Sequence, residues 1–131
     1  MTTEPLVSVI VPSFNHAPYL EQCIASVFAQ DYPAFEVIVI DDGSTDNSGE
    51  VLRELNKQYN FQLELREHHG LSNTVNYAIT EYAKGKYLTI TASDDSWLPW
   101  KLSKQVRFME ENPQFPMAYG KSKGIDVQGN Y

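Results

Sequence analysis

Cysteine is nearly missing from this chain: 131 residues include one, Cys23. A lone thiol builds no disulfide framework, so apolar packing must hold the core, and such sparse use fits a reducing, cytoplasmic setting. Cys23 itself falls in a helical pattern, where a small buried apolar side chain is expected. Positive charge is also scarce, with 10 Lys and Arg against 17 Asp and Glu and a net charge of −7. An acidic surface disfavours nucleic acid, or an anionic membrane, recognised through a general basic field. It leaves room for an anionic ligand held through a metal ion. Long hydrophobic runs are missing too. Nothing approaches the roughly 20 apolar residues that span a bilayer, and Val7 to Pro12 is too short and too early for a signal-peptide core. Two nucleotide fingerprints are also lacking. No G-x-G-x-x-G follows the first predicted strand, and no G-x-x-x-x-G-K-[ST] occurs. A nucleotide would therefore be held by carboxylates, a metal and stacking rather than by a glycine cradle.

What remains is ample material for a core. Hydrophobic residues make up 42% of the chain and aromatics 12%, which suits one folded domain over residues 1–131. Leu6 to Val11 is a first strand, β-branched and largely apolar, and Val37 to Ile40 is apolar on both faces, as a strand covered on both sides must be. Phe61 to Leu65 is a more polar strand, nearer an edge. Tyr87 to Thr91 and Met117 to Tyr119 are the fourth and fifth strands. Helical spacing appears between them. Leu20, Ile24, Val27 and Phe28 share one face, as do Val51, Leu52, Leu55 and Tyr59. Leu71, Val75, Ala78, Ile79 and Tyr82 form a third stripe, followed by Gly85 as the left-handed residue past the helix end. Leu102, Val106 and Met109 form a fourth. The strict alternation predicts an α/β fold: a doubly wound, mainly parallel sheet of about five strands with helices on both faces.

Carboxylates cluster at the predicted strand ends. Asp41-Asp42 closes the second strand and Asp94-Asp95 follows the fourth, so both pairs face the rim where open α/β sheets bind ligands. Adjacent carboxylates repel and must be solvated, hydrogen-bonded or metal-bound. The same residues also suit a turn and a helix N-cap. A few Asp without a Cys or His cluster favours a hard cation such as Mg²⁺, which shares its ligands between carboxylates and substrate phosphates. Phe14, in the loop after the first strand, has two open roles: stacking on a base, or filling the core. Adjacent His68 and His69 in an extended loop point apart and make a poor chelate, though one can reach a phosphate.

Several motifs in order carry a resemblance. They are Val9 to Asn15, Tyr19-Leu20, Ser26-Val27, Gln30 to Pro33, the block Glu36 to Ser48 (EVIVIDDGSTDNS), Gly70 to Ser72 with Asn76, Lys84 to Tyr87, and Asp94-Asp95. Over residues 7 to about 120 the chain resembles the N-terminal, donor-binding half of a family 2 glycosyltransferase with the GT-A fold. That resemblance implies an inverting enzyme using a nucleotide-diphosphate sugar, a UDP-sugar first, and Mg²⁺ or Mn²⁺, with a saccharide or lipid-linked acceptor. It places Pro12, Phe14 and Asn15 at the base pocket and Asp42 against the base, and leaves Asp41 to support the turn. Asp94 matches the metal-binding last Asp of the D-x-D motif, with Asp95 after it. Ala92 stands where the first Asp usually lies, leaving Ser93 or Asp95 to take over its contact. The same substitution suits an alternative, a non-catalytic nucleotide-sugar-binding or regulatory domain. No residue matches the catalytic base, for which Glu110, Glu111 and Asp126 are poor candidates. The base is expected beyond residue 131, as is any membrane contact.

Overall fold

A computed structural model describes residues 4–124 and 128; Asp126 lies outside them. Four strands form one parallel sheet: β1 (Val7–Ser13), β2 (Phe35–Asp42), β3 (Gln62–Arg66) and β4 (Tyr87–Ile90), in the order β3-β2-β1-β4. The helices are α1 (Leu20–Phe28), entered through a 3₁₀ turn at Ala17–Tyr19, then α2 (Ser48–Tyr59), α3 (Leu71–Glu81) and α4 (Lys101–Glu111).

Strand alternation sorts the core into two layers. Val7, Val9 and Val11 of β1 and Val37 and Val39 of β2 pack with Leu20, Ile24, Leu52, Leu55, Leu102 and Val106 from α1, α2 and α4. Ile10, Ile38 and Ile40 turn the other way and meet Ala78 of α3. Each fully buried branched side chain contributes about 1.5–3 kcal/mol, so the two central strands anchor the domain from both sides. Cys23 lies wholly inside the larger layer. Burial, with the Asp95 charge nearby, pushes its thiol pKa up to about 12, so it behaves as an apolar core group.

The sheet departs from expectation at one edge. Met117–Tyr119 forms no strand, so the described residues hold four strands rather than about five. Pro116, just before, has no N–H to donate to a ladder. Met117 and Tyr119 are 74% and 91% exposed, so no burial offsets the entropy of ordering them.

Two further corrections concern α3. Leu71 is exposed, and the buried side of the helix is carried by Thr74 and Ala78. Gly85 is not a left-handed cap; the positive-φ glycines are Gly43 and Gly70. Gly85 is required by close approach instead. A Cβ there would lie 2.6 Å from the Ser8 backbone nitrogen, and its own N–H donates to Ser8 Oγ at 2.8 Å. Ser8 Oγ donates in turn to Glu36 Oε2 at 2.5 Å, which also accepts the Lys84 N–H, so this polar cluster fixes the start of β4.

Strand order decides where a ligand can bind. From β1 the chain goes to β2 on one side, and returns to β4 on the other. The switch point, where such sheets take ligands, therefore lies outside the carboxyl ends of β1 and β4. Pro12 fits here because β4 pairs only with Val7 to Ile10, so its missing N–H costs no ladder bond on that side. Among the described residues no helix is long and apolar enough to cross a membrane.

Candidate nucleotide and metal site

The acidic end of β2 is divided by strand geometry. Successive side chains leave a strand on opposite faces, so Asp41 and Asp42 turn to different layers. Asp41 faces the loop side. Its Oδ1 accepts the hydroxyls of Ser44 at 2.6 Å and Ser13 at 3.1 Å, and its Oδ2 accepts the Ser44 N–H at 2.9 Å. It therefore holds the turn after β2. Asp42 faces α3. Its oxygens accept the backbone N–H groups of His69 at 2.7 Å and Gly70 at 3.0 Å, satisfying donors at the start of that helix. His68 Nδ1 lies 3.0 Å from Asp42 Oδ2. Both carboxylates are buried. Burial alone would raise the Asp42 pKa. The His69 and Gly70 N–H groups and the nearby His68 ring outweigh it, and hold the carboxyl below its ordinary value.

Gly43 makes this junction possible. Its φ is +76°, and an added Cβ would meet the His68 backbone nitrogen at 2.6 Å. The loops after β2 and β3 thus close on each other without room for a side chain.

The loop after β1 is bolted to the same turn. Asn15 adopts a left-handed φ of 55°, and its Oδ1 accepts the N–H groups of Thr45 at 2.7 Å and Asp46 at 3.2 Å. Its own N–H donates to Ser44 Oγ at 2.9 Å, while Asp46 Oδ2 accepts the Ala17 N–H at 3.2 Å. Asp46, which also accepts from Ser48, has its pKa lowered: burial opposes ionisation, and these hydrogen bonds outweigh it. Phe14 is 41% exposed and packs against His68, with ring centroids 4.5 Å apart and the planes tilted by 31°. It is a rim residue, not a core one, and presents an aromatic face beside Asp42.

Across the switch point, β4 ends in a tight turn closed by the Asp95 N–H donating to Ala92 O at 3.0 Å. Ser93 is buried, and its Oγ lies 2.7 Å from His16 Nδ1. Asp94 and Asp95 are exposed, with Asp94 Oδ2 3.8 Å from His16 Nε2. Two exposed carboxylates suit a hard divalent cation that takes its other ligands from a diphosphate and water. Among the described residues no group of three or more His, Cys, Asp or Glu side chains is placed to hold a metal by itself.

The predicted residues thus fall in two groups at the carboxyl ends of the strands, Pro12, Phe14, Asn15 and Asp42 after β1 and β2 and Ser93, Asp94 and Asp95 after β4, with His16 reaching from the first group to the second. Sequence reasoning overlooked His16 and the contacts that the exposed His68 makes with Phe14 and Asp42. Both stand just past strand ends, so applying the carboxyl-end rule to every strand, not only the acidic ones, would have found them.

Comparison with known proteins agrees with this geometry. The glycosyl transferase family 2 model matches residues 8–125. The glycosyltransferase TuaG of Bacillus subtilis is 40% identical over 110 residues, covering 82% of this chain and 43% of TuaG. Among solved structures, TarS of S. aureus (residues 1–349) in complex with UDP-GlcNAc superposes with a TM-score of 0.74 at 30% identity, covering 82% of this chain and 32% of that one. The mannosyltransferase PcManGT of Pyrobaculum calidifontis, in complex with GDP-Man and Mn²⁺, gives a TM-score of 0.74 at 32% identity, over 82% and 33%. The chain spans half or less of the length of these relatives. Motifs, sheet order and rim chemistry converge with these matches: the chain belongs to glycosyl transferase family 2 and has the GT-A fold.

Proposed function

We propose that residues 1–131 are the single donor-binding domain of an inverting glycosyltransferase. The donor is a nucleotide-diphosphate sugar, UDP-linked in the first instance, and the acceptor is a saccharide or a lipid-linked saccharide. One observation supports this reading: an exposed aromatic ring after β1 and a pair of exposed carboxylates after β4 stand at the carboxyl ends of the two strands that flank the sheet's switch point. Phe14 stacks on the base and Asp42 stands at the base edge. Pro12 and Asn15 fix the loop that carries Phe14. Ser93 sets the acidic turn, and Asp94 and Asp95 hold Mg²⁺ or Mn²⁺. That cation, when bound, stabilises the diphosphate leaving group. The complexes of the two structural neighbours with nucleotide sugars, one of them with Mn²⁺, support the choice of ligands.

In such a reaction a carboxylate takes the proton of the acceptor hydroxyl as its oxygen attacks the anomeric carbon from the face opposite the diphosphate. Glu110 is unsuited to this. Its carboxylate is engaged by Lys86 Nζ at 2.7 Å and by the Tyr87 hydroxyl, at the start of β4 and away from the rim. We place the base beyond residue 131. Ala92 favours a second reading, a nucleotide-sugar-binding or regulatory domain without turnover. A donor screen on the longer protein containing this chain separates the two. Transfer from one nucleotide sugar with inverted configuration, read by proton NMR of the product, is expected. Donor binding without transfer or hydrolysis would favour the second reading, and retention of configuration would overturn the inverting assignment.

A further inference from the structure

A histidine joins the loops at the ends of β1 and β4. His16 leaves the loop after β1, and its ring reaches the turn after β4, with Nδ1 2.7 Å from Ser93 Oγ and Nε2 3.8 Å from Asp94 Oδ2. The 2.7 Å pair of Nδ1 and Ser93 Oγ is a hydrogen bond whichever partner donates, and the 3.8 Å approach of Nε2 to Asp94 Oδ2 is a looser polar contact. One ring thereby joins the loop after β1 to two residues of the turn after β4.

The ring is held from behind. On one side of it Asn15 is tied to Ser44, Thr45 and Asp46, and on the other the Ala17 N–H donates to Asp46. The His16 carbonyl accepts the Tyr19 N–H at 2.9 Å, and the Tyr19 ring packs edge-on at 6.0 Å. The base-side loop is thus rigidly joined to the turn after β2. His16 extends that rigidity to Ser93 and Asp94, whose turn lies on the far side of the switch point.

We propose that His16 is a positioning residue that sets the Asp94 carboxylate at a fixed distance from the Phe14–Asn15 loop. The base and the metal-held diphosphate are then received at matched spacing. The inference rests on the donor-site reading above. Nδ1 is engaged by Ser93 Oγ and Nε2 faces the Asp94 carboxylate at 3.8 Å, so the role of His16 is to position the turn that carries Asp94, not to bind the metal.

The test compares the full 131-residue chain with His16→Ala, His16→Phe and His16→Gln. UDP affinity is measured by calorimetry in MnCl₂ and by NMR titration in EDTA, with a thermal unfolding curve for each protein. Outer-sphere partners of metal ligands are worth about 10- to 100-fold in affinity. His16→Ala is expected to weaken UDP binding at least about tenfold in MnCl₂, and less than about twofold in EDTA. His16→Phe keeps the ring volume and gives the same pattern where His16→Ala folds poorly. His16→Gln, whose amide N–H reaches toward Asp94, recovers part of the loss. Equal losses with and without metal, or unchanged affinity in His16→Ala and His16→Phe, overturn the inference alone. Absence of Mn²⁺-dependent UDP binding in the unaltered chain overturns the donor-site reading, and this inference falls with it.

Discussion

The side-chain oxygen of Asn15 accepts the backbone N–H of Thr45 at 2.7 Å, joining the loop that carries Phe14 to the turn that ends β2. Two residues 30 apart in sequence thus build one wall of the site. Asn15→Ala removes this acceptor and places a Cβ-bearing residue without a local hydrogen bond at φ 55°. The expected loss is about 2 kcal/mol of stability, read from the urea midpoint at unchanged slope. Asn15→Asp keeps the acceptor and should lose less than half as much.

Asp42 makes a second prediction. Asp42→Ala leaves the N–H groups of His69 and Gly70 without their carboxylate at the start of α3, and should cost about 3 kcal/mol. Asp42→Asn retains one accepting oxygen and should cost about 1 kcal/mol. Equal costs for the two would show that the charge, not the acceptor geometry, holds the helix start.

Acid dependence follows from the same group. Asp42 and Asp46 both have folded-state pKa values below their ordinary ones. A depressed carboxylate contributes stability that is fully present above its unfolded value, about 3.9, and is lost as pH falls through the folded value. Urea midpoints should therefore be flat in these two groups above about pH 5 and fall below about pH 4. The fall should be shallower in Asp42→Asn.

Glycine substitutions separate clash from strain. Gly43→Ala combines a positive φ with a backbone contact at 2.6 Å that cannot retreat, and should cost about 3 kcal/mol or more. Gly70→Ala, at φ +93° with nothing within 4 Å of the added carbon, meets conformational strain alone and should cost about 1–2 kcal/mol. Differential scanning calorimetry of the pair checks the order.

The legible parts of this molecule were those set by short-range pattern. Both-face apolar runs located β1 and β2, and the acidic pairs located the rim, because burial and charge repulsion write themselves directly into residue type. Gly85 was misread because a glycine demanded by Ser8, far away in sequence, looks the same as one demanded by a helix end. Met117–Tyr119 has strand-like composition, yet pairing depends on a neighbour and on burial that composition does not encode. The resemblance implied that Asp41 supports the turn while Asp42 meets a base, and the structure shows the first at the turn and the second at the start of α3. Alternation along β2 now supplies the physical cause, sending one to the turn and the other to α3. His16 stayed hidden because its partners, Ser93 and Asp94, are 77 and 78 residues away and meet it only through the sheet order.

On the proposed reading, the loops after β1 and β4 bind one ligand through a metal. Calorimetry of UDP with MnCl₂ on the unaltered chain and on Asp94→Ala tests it most directly. Asp94 is exposed, so its replacement should leave the unfolding temperature unchanged. The account predicts binding that needs Mn²⁺ in the unaltered chain, weakened at least about tenfold in Asp94→Ala. Equal affinity of the two proteins for UDP would contradict it.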